Sequence, residues 1–404
     1  MSAQLTSLEA TRNLLDVSVT ERQSFRSCRR AWILGTIENL QHRGEPTWHF
    51  EFGTIIHAIL ERWTWEGDSL PVLAHGMLEA WYENMRTKYD ELSPDTIAEL
   101  EELCNLGEAM MEYYAQWNRV SEVQLGRVLA VEGRWVDGAR DRWRAATPPG
   151  YEHADVILHE SGRLLIPIID PDSLAEDKRL TRIIGDEVYY PMLSARLDLI
   201  TERRTPKRGM WVVDRKTASS ARTDQALDFD DQITGYCYAS FRLTGVIPRG
   251  AVIDELLKNM VQAPRWVQRG TVLSAARDQR TLAHMYREAL DEEGLIRSGI
   301  ITSTRHRECY EALLARGWDP FYRRYEVTRT AEELQAFEHQ LVVEYEEMAE
   351  VLAVPAKQYP NKNPYGDCKR CGLRELCRAM DDGSDADYLR KSLYVVGEDR
   401  KAAA

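Results

Sequence analysis

The sequence predicts an α/β fold, with a block of helices ahead of a β-rich core, and three observations carry that prediction. Ahead of Gly126, apolar residues recur at helical spacing. From Gly126 the pattern changes to short β-rich runs divided by turn residues, at 128–136, 154–159, 164–169 and 188–200. The run 210–217 then reads as a buried strand in which Trp211, Val212 and Val213 lead straight into Asp214, Arg215 and Lys216.

Composition bounds the rest. A chain of 404 residues suits two or three domains, or one domain with large insertions, and 44% hydrophobic content suffices for a core. No apolar run of about twenty residues is present and residues 1–15 lack an apolar signal core, so a soluble, cytoplasmic protein without a membrane span is expected. A net charge of −13 argues against a uniformly basic coat for nucleic acid and leaves room for a local basic channel. Three basic clusters occur, Arg26/Arg29/Arg30, Arg203/Arg204/Lys207/Arg208 and Arg265/Arg269; taken singly, each reads as solvated surface. Seven cysteines, an odd number, do not suggest a disulfide framework, but Cys368-x2-Cys371-x5-Cys377 has the spacing of metal or cluster ligands.

Taken in order, a capping box at 20–23 opens a helix to Leu34, before Gly35. Phe25, Cys28 and Trp32 share a face of it, which predicts Cys28 as an inward-facing core residue. Ile56, Ile59, Leu60 and Trp63 set a second helix, on which His57 shares a face with Gly53 and Leu60. A third covers 73–89, and Ser93-Pro94 caps a fourth that reaches Trp117. Beyond the strand 212–216 come a helix at 224–243 capped by Gly245, a strand at 250–257 and a mixed stretch, 264–320, with a loop at 264–270. A strand at 321–327 and a capping box at Thr330 lead into a helix to Leu352. The expected division is a flexible 1–17, a helical region 18–125, a core 126–262, an insertion with a closing strand and helix 263–354, a cysteine segment 355–380 and a loose acidic tail 381–404.

On a strand, Asp214 and Lys216 point to the same face. An isolated Asp-x-Lys is most often a surface ion pair. A divalent metal gives the pair a use, since the carboxylate binds it and the ammonium faces the anion it activates. Three further features keep it company: Gly53-x-x-x-His57; Asp198 between Leu197 and Leu199 on a predicted strand; and Gln232-x-x-x-Tyr236, whose spacing puts both side chains on one helix face. By itself, His57 reads as a hydrogen-bonded helix histidine.

In this order the four motifs resemble the RecB-like exonucleases of the PD-(D/E)XK nuclease superfamily. The resemblance runs from about Ser18 to Cys377, with 138–188 and 261–320 as insertions. It implies a restriction-endonuclease-like core, a mixed central sheet flanked by helices, and His57, Asp198, Asp214 and the Arg215 carbonyl as ligands of Mg2+ or Mn2+. Lys216 would then position the nucleophile or stabilise charge on phosphorus, and Gln232 and Tyr236 would orient the site and the DNA strand. Cys28 with Cys368, Cys371 and Cys377 resembles the iron–sulfur clasp of AddB-type and CRISPR-associated RecB-like nucleases, which implies a 4Fe-4S cluster joining the chain's ends. That family usually has Pro after the first Cys; here it is Arg29.

With no Walker motif, the chain resembles a stand-alone nuclease: a metal-dependent DNA exonuclease acting on single strands or free ends in recombination, repair, or CRISPR or phage DNA processing, with room for a protein partner. The helical block, 203–208 and the 264–270 loop would guide the strand, with Trp266 stacking on a base. Two other readings compete. A non-catalytic DNA-end-binding protein would have lost a ligand first, and a zinc ribbon usually brings two close Cys pairs.

Overall fold

The computed structural model describes residues 16–43, 48–88, 92–132, 134–136, 156–158, 162–175, 178–184, 186–204, 207–268, 270–363 and 367–397. The expected flexible N-terminus lies outside them up to residue 15, as do 138–155 of the 138–188 insertion, Arg269 and the last residues of the tail.

The chain enters through β1 (Asp16–Ser18) and turns into α1 (Val19–Ser27). The Ser18 hydroxyl accepts from the Glu21 N–H and the Glu21 carboxylate accepts from the Ser18 N–H, so the capping box starts two residues before the expected Thr20. The expected continuous helix 20–34 is broken at Cys28, whose φ of −161° is extended. A short helix resumes at Arg29–Trp32 and widens into a π-turn at Ile33–Ile37. The break leaves Cys28 half-exposed, not inward.

β2 (Leu40–His42) precedes three long helices, α2 (Trp48–Glu66), α3 (Leu70–Lys88) and α4 (Pro94–Val120). Their apolar stripes close on one another through Phe52, Ile56, Leu60, Leu78, Met111 and Tyr114. Next come β3 (Arg127–Val131), β4 (Arg134–Trp135), β5 (Ile157–Leu158), β6 (Leu164–Pro167), β7 (Met192–Ala195), β8 (Leu199–Arg203) and β9 (Gly209–Ala218). The predicted single run 188–200 divides at Arg196–Asp198, because β7 and β8 belong to different sheets. A short helix (Asp224–Asp228), α5 (Asp231–Thr244) and β10 (Gly250–Leu257) follow, so the expected helix 224–243 breaks at Phe229–Asp230.

The central sheet has the order β13-β10-β9-β8-β3-β4, where β13 is Tyr322–Thr328. β9 and β10 run parallel, as a crossover through α5 requires, and the other pairs are antiparallel. The architecture is therefore a mixed sheet flanked by helices, consistent with a restriction-endonuclease-like fold. β1, β7, β6 and β5 form a smaller sheet beside it.

Each face of the central sheet has its own cover. Met210, Val212, Ala251, Ile253 and Val327 pack on α5 and on α8 (Ala331–Ala353) through Ile233, Cys237, Phe337 and Leu341. The alternating residues face the helical block, and among them lies a buried ionic network. Asp254 accepts from Arg324 Nε at 2.8 Å and from the Tyr114 hydroxyl. Arg324 also donates to Asn118 at 2.6 Å and lies 4.5 Å from the Trp117 ring centroid, while Arg215 reaches Thr64 on α2 at 3.2 Å. These bonds dock the helical block onto the sheet.

The 264–320 region holds a small core of its own. The hairpin β11 (Trp266–Val267) and β12 (Val272–Leu273), with α6 (Ala283–Glu292) and α7 (Thr304–Arg316), closes over Leu273, Tyr286, Leu290, Ile301, Cys309 and Leu313. The expected loop at 264–270 thus begins a hairpin that carries an exposed Trp266. The expected loose tail is also built: α9 (Arg374–Asp382) and α10 (Ala386–Leu393) lead to β14 (Tyr394–Val396), which pairs with β2. Leu389 and Leu393, one helical turn apart within an acidic stretch, pack on the cluster of Leu34, Leu40, Leu376 and Tyr394. Among the described residues no helix is long and apolar enough to cross a membrane.

Asp254 is fully buried and Arg324 nearly so. Removing one partner of such a pair leaves an uncompensated charge, so Asp254→Ala should cost about 3–5 kcal/mol of stability in denaturant unfolding. A cost below about 1 kcal/mol, the usual worth of a surface pair, would show that the network does not hold the block.

Candidate active site

β8 and β9 pair antiparallel with Leu199 opposite Val213. One step further along this register sets Asp198 opposite Asp214. Asp198 is not inside a strand, as the sequence suggested, but in the bend just before β8, where its carbonyl still accepts from the Glu132 N–H at the end of β3. Its Oδ2 accepts from the Arg215 N–H at 2.6 Å, which ties the bend to β9. Asp214 is buried with its Oδ1 2.8 Å from Lys216 Nζ, while its Oδ2 has no hydrogen-bond partner among the described residues.

His57 comes from α2, with Nδ1 3.4 Å from Asp198 Oδ1. Gly53, one turn earlier, explains the approach: a Cβ there would stand 3.2 Å from Thr217 Oγ1 on β9. α5 adds the last two side chains. Gln232 Nε2 donates to the Tyr236 hydroxyl at 3.2 Å, and the Tyr236 ring centroid lies 5.9 Å from Lys216 Nζ. Gly235 lets α5 pack closely, since a Cβ would meet Val19 at 2.9 Å and Phe337 at 3.1 Å. His57, Asp198, Asp214, Lys216, Gln232 and Tyr236 thus come together, and Arg215 adds its backbone while its side chain crosses to the other face.

Burial and charge work against each other here. Burial pushes Asp214 up; the nearby Lys216 ammonium opposes this and the Asp198 charge adds to it. Burial also acts to raise Asp198, but the charge and hydrogen bond of His57, helped by the Arg215 N–H, hold it below the usual carboxylate range. Burial would lower His57; Asp198 outweighs it and raises the imidazole. Tyr236 is pushed well above its ordinary value by burial and by the two aspartates.

Sequence reasoning missed Glu132. It follows β3, the neighbour of β8, in the left-handed region at φ 46°, with its N–H bonded to the Asp198 carbonyl and its carboxylate paired with Arg196. Burial, with the Asp198 charge adding and Arg196 opposing, raises its carboxyl to about 7. Its only signal in the sequence is an acid inside an apolar run.

Two carboxylates, an imidazole and a backbone carbonyl are donors that suit Mg2+ or Mn2+. The partnerless buried Asp214 Oδ2 fits the same use. As the side chains stand, with His57 turned to Asp198 and Lys216 to Asp214, no three His, Cys, Asp or Glu among the described residues are arranged to hold an ion.

Burial raises the Cys371 thiol, and Cys28, Cys377 and Cys368 each add to the effect, so Cys28 lies in the electrostatic surroundings of Cys371 despite its distance in sequence, while among the described residues no three of the thiols are arranged to hold an ion. Arg30 Nη1 lies 3.6 Å from Cys377 Sγ. Cys104, Cys237 and Cys309 belong to three separate apolar clusters. The first basic cluster is largely consumed by structure: Arg26 pairs with Glu344 and Asp231, and Arg30 with Asp381. Arg203 is buried against Glu326 and Trp211 and does not guide a strand.

A mixed sheet that sets Asp214 and Lys216 on β9 beside Asp198, just ahead of β8, has the arrangement expected of the PD-(D/E)XK type. The family model of the PD-(D/E)XK nuclease superfamily matches residues 16–378, and the chain belongs to that superfamily. No curated protein matches it.

Glu132 also yields a pH dependence. With its carboxyl raised from 4.5 to about 7, the folded state binds more protons than the unfolded state between those values, so stability falls as pH rises through that window. In melts of metal-free protein, Glu132→Gln should lose less stability between pH 5 and pH 7 than the parent. Equal slopes would place the Glu132 carboxyl in its ordinary range.

Proposed function

We propose that the protein is a metal-dependent DNA exonuclease whose chain ends are clasped by a 4Fe-4S cluster. The observation that carries the nuclease reading is the pairing of Asp198 and Asp214 beside Lys216, with one buried carboxylate oxygen left without a partner. His57, Asp198, Asp214 and the Arg215 carbonyl would hold the ion. Bound Mg2+ or Mn2+ supplies positive charge against the phosphate and Lewis acidity.

The chain's own residues do the rest. The Lys216 ammonium, released from Asp214, faces the reacting phosphate and stabilises negative charge as it develops. Tyr236 closes one side of that ammonium, and Gln232 fixes the phenol that does so. The Arg215 N–H holds Asp198, and His57, which stands 3.4 Å from the same carboxylate, would share the ion with it. The exonuclease assignment rests on the Gly53-x-x-x-His57 and Gln232-x-x-x-Tyr236 motifs around this centre, and action on free or single-stranded ends follows from the same resemblance. An intact set of acids and lysine speaks against a DNA-binding protein that has lost cleavage.

Asp198→Ala, Asp214→Ala and Lys216→Ala should each abolish or strongly slow digestion of end-labelled DNA with Mn2+ while circular dichroism stays unchanged. For Lys216→Ala the loss should be about 10²–10³ in rate, the usual worth of one preorganised charge contact. His57→Ala should be milder at high Mn2+. Full activity in Lys216→Ala would remove the assignment.

The cluster has its own test. Protein purified without oxygen should carry iron and visible absorbance, both lost in Cys28→Ser and Cys371→Ser and retained in Cys104→Ser. Zinc in place of iron would sink the iron–sulfur reading and leave the nuclease reading standing.

A further inference from the structure

The polar face of the central sheet does not stop at Lys216. Lys216 registers with Glu255 on β10, and Glu255 with Arg323 on β13, so the three stand in one row. Glu255 is fully buried and its Oε1 has no hydrogen-bond partner among the described residues. Arg222, in the link between β9 and α5, closes over it: its N–H donates to Glu255 Oε2 at 3.3 Å and its Nε lies 3.8 Å from Oε1.

Both guanidiniums are held in place. Arg323 Nε donates to the Asp319 carbonyl at 2.9 Å and its Nη1 to the Tyr325 hydroxyl at 3.4 Å. The same hydroxyl donates to the Arg222 carbonyl at 3.1 Å, and Arg222 Nη1 reaches Asp230 at 3.2 Å. A guanidinium has five N–H donors, so these bonds orient each fork and leave donors for a ligand. The Arg222 side chain is 31% exposed. Next to Asp230, Phe229 is 89% exposed and offers an apolar face beside the arginines.

A structural ion pair accounts for Arg222 on Glu255. It does not account for Arg323, which among the described residues has no carboxylate at ion-pair distance and bonds only the Asp319 carbonyl and the Tyr325 hydroxyl. Glu255 and Asp230 answer Arg222 and Asp214 answers Lys216, so Arg323 is the cation left over in the row. Neighbouring strands lie about 4.8 Å apart, so the Lys216 and Arg323 backbones are about 10 Å apart, within reach of one nucleic-acid strand through their long side chains.

We propose that Arg222 and Arg323 form a second phosphate subsite, which grips another phosphate of the strand whose scissile diester lies at Asp214 and Lys216. The subsite rests on the nuclease reading for its substrate and deepens it. Phosphate suits the forked geometry better than a point charge would. Glu255 and Asp230 orient the Arg222 fork, the Asp319 carbonyl and the Tyr325 hydroxyl orient that of Arg323, and Phe229 supplies a stacking face for the adjoining base.

The test is fluorescence anisotropy of a labelled single-stranded oligonucleotide, in EDTA, across a salt titration. Arg323→Gln should weaken binding and reduce the slope of log K against log salt by about 0.7, the share of one phosphate contact on a single strand. The double variant Arg222→Lys/Arg323→Lys keeps both charges and the pairing with Glu255, and covers the case in which Arg323→Gln does not fold. It should keep the parent's slope and lose affinity, because the planar fork is gone. An unchanged slope in folded Arg323→Gln, or parental affinity in the double lysine variant, overturns the subsite. Digestion of the same oligonucleotide by the parent with Mn2+ separates the two ideas. Cleavage with no arginine-dependent slope rejects only the subsite, and an arginine-dependent slope without cleavage rejects only the nuclease reading.

Discussion

One hydrogen bond holds the candidate site in register: the Arg215 N–H to the Asp198 carboxylate, at 2.6 Å. It forms where the β8–β9 ladder ends, so a side chain takes the place of the next backbone partner. That substitution is what permits a bend at Asp198 instead of another strand residue. It places two acids opposite each other in a buried setting, where their repulsion must be offset. Lys216 and His57 offset it, each from a different element. Loss of the bend would free Asp198 and leave Asp214 with a lysine and no partner acid.

The same dipeptide also explains why the helical block belongs to the site. Alternation along β9 sends Asp214 and Lys216 to the α5 face and Arg215 to the other. There Arg215 bonds Thr64 on α2, two turns beyond His57, and approaches Asp254, the centre of the buried network with Arg324 and Tyr114. The position of His57 over Asp198 is therefore set from both ends of its helix: by Gly53 at close approach to Thr217, and by Thr64 on Arg215. The helix that carries His57 is fixed through buried charge, which is costly to misplace.

What the sequence made legible follows from period and from local chemistry. The long helices, the Thr330 capping box and the apolar run of β9 were readable because each is a local signal. The site residues were readable because short motifs keep their spacing. The bend at Asp198 was not, since Leu197 and Leu199 alternate with it as they would in a strand and only the change of sheet breaks the run. Glu132 was hidden because its role depends on which strand neighbours β3, a long-range fact. The break at Cys28 was masked by good helix formers on both sides; the extended Cys28 shows that Arg29 can follow such a break without the proline that would impose it.

The chain ends carry a similar lesson about where order comes from. An acidic, polar tail reads as loose when its apolar residues are counted, and as built when their places are considered. Leu389, Leu393 and Tyr394 find Leu34 and Leu40, and β14 completes a ladder with β2. This apolar contact brings the segment after Cys377 back to the segment after Cys28 without any help from the thiols. Arg390 pairs with Glu38 and the Tyr394 hydroxyl donates to the Gly372 carbonyl, so the link flanks the cysteine segment on its far side. The two cysteine-bearing segments are thus brought together by packing that stands apart from the thiols. Among the described residues no three of the thiols are arranged to hold an ion, so the packing brings the two segments close without assembling a ligand set.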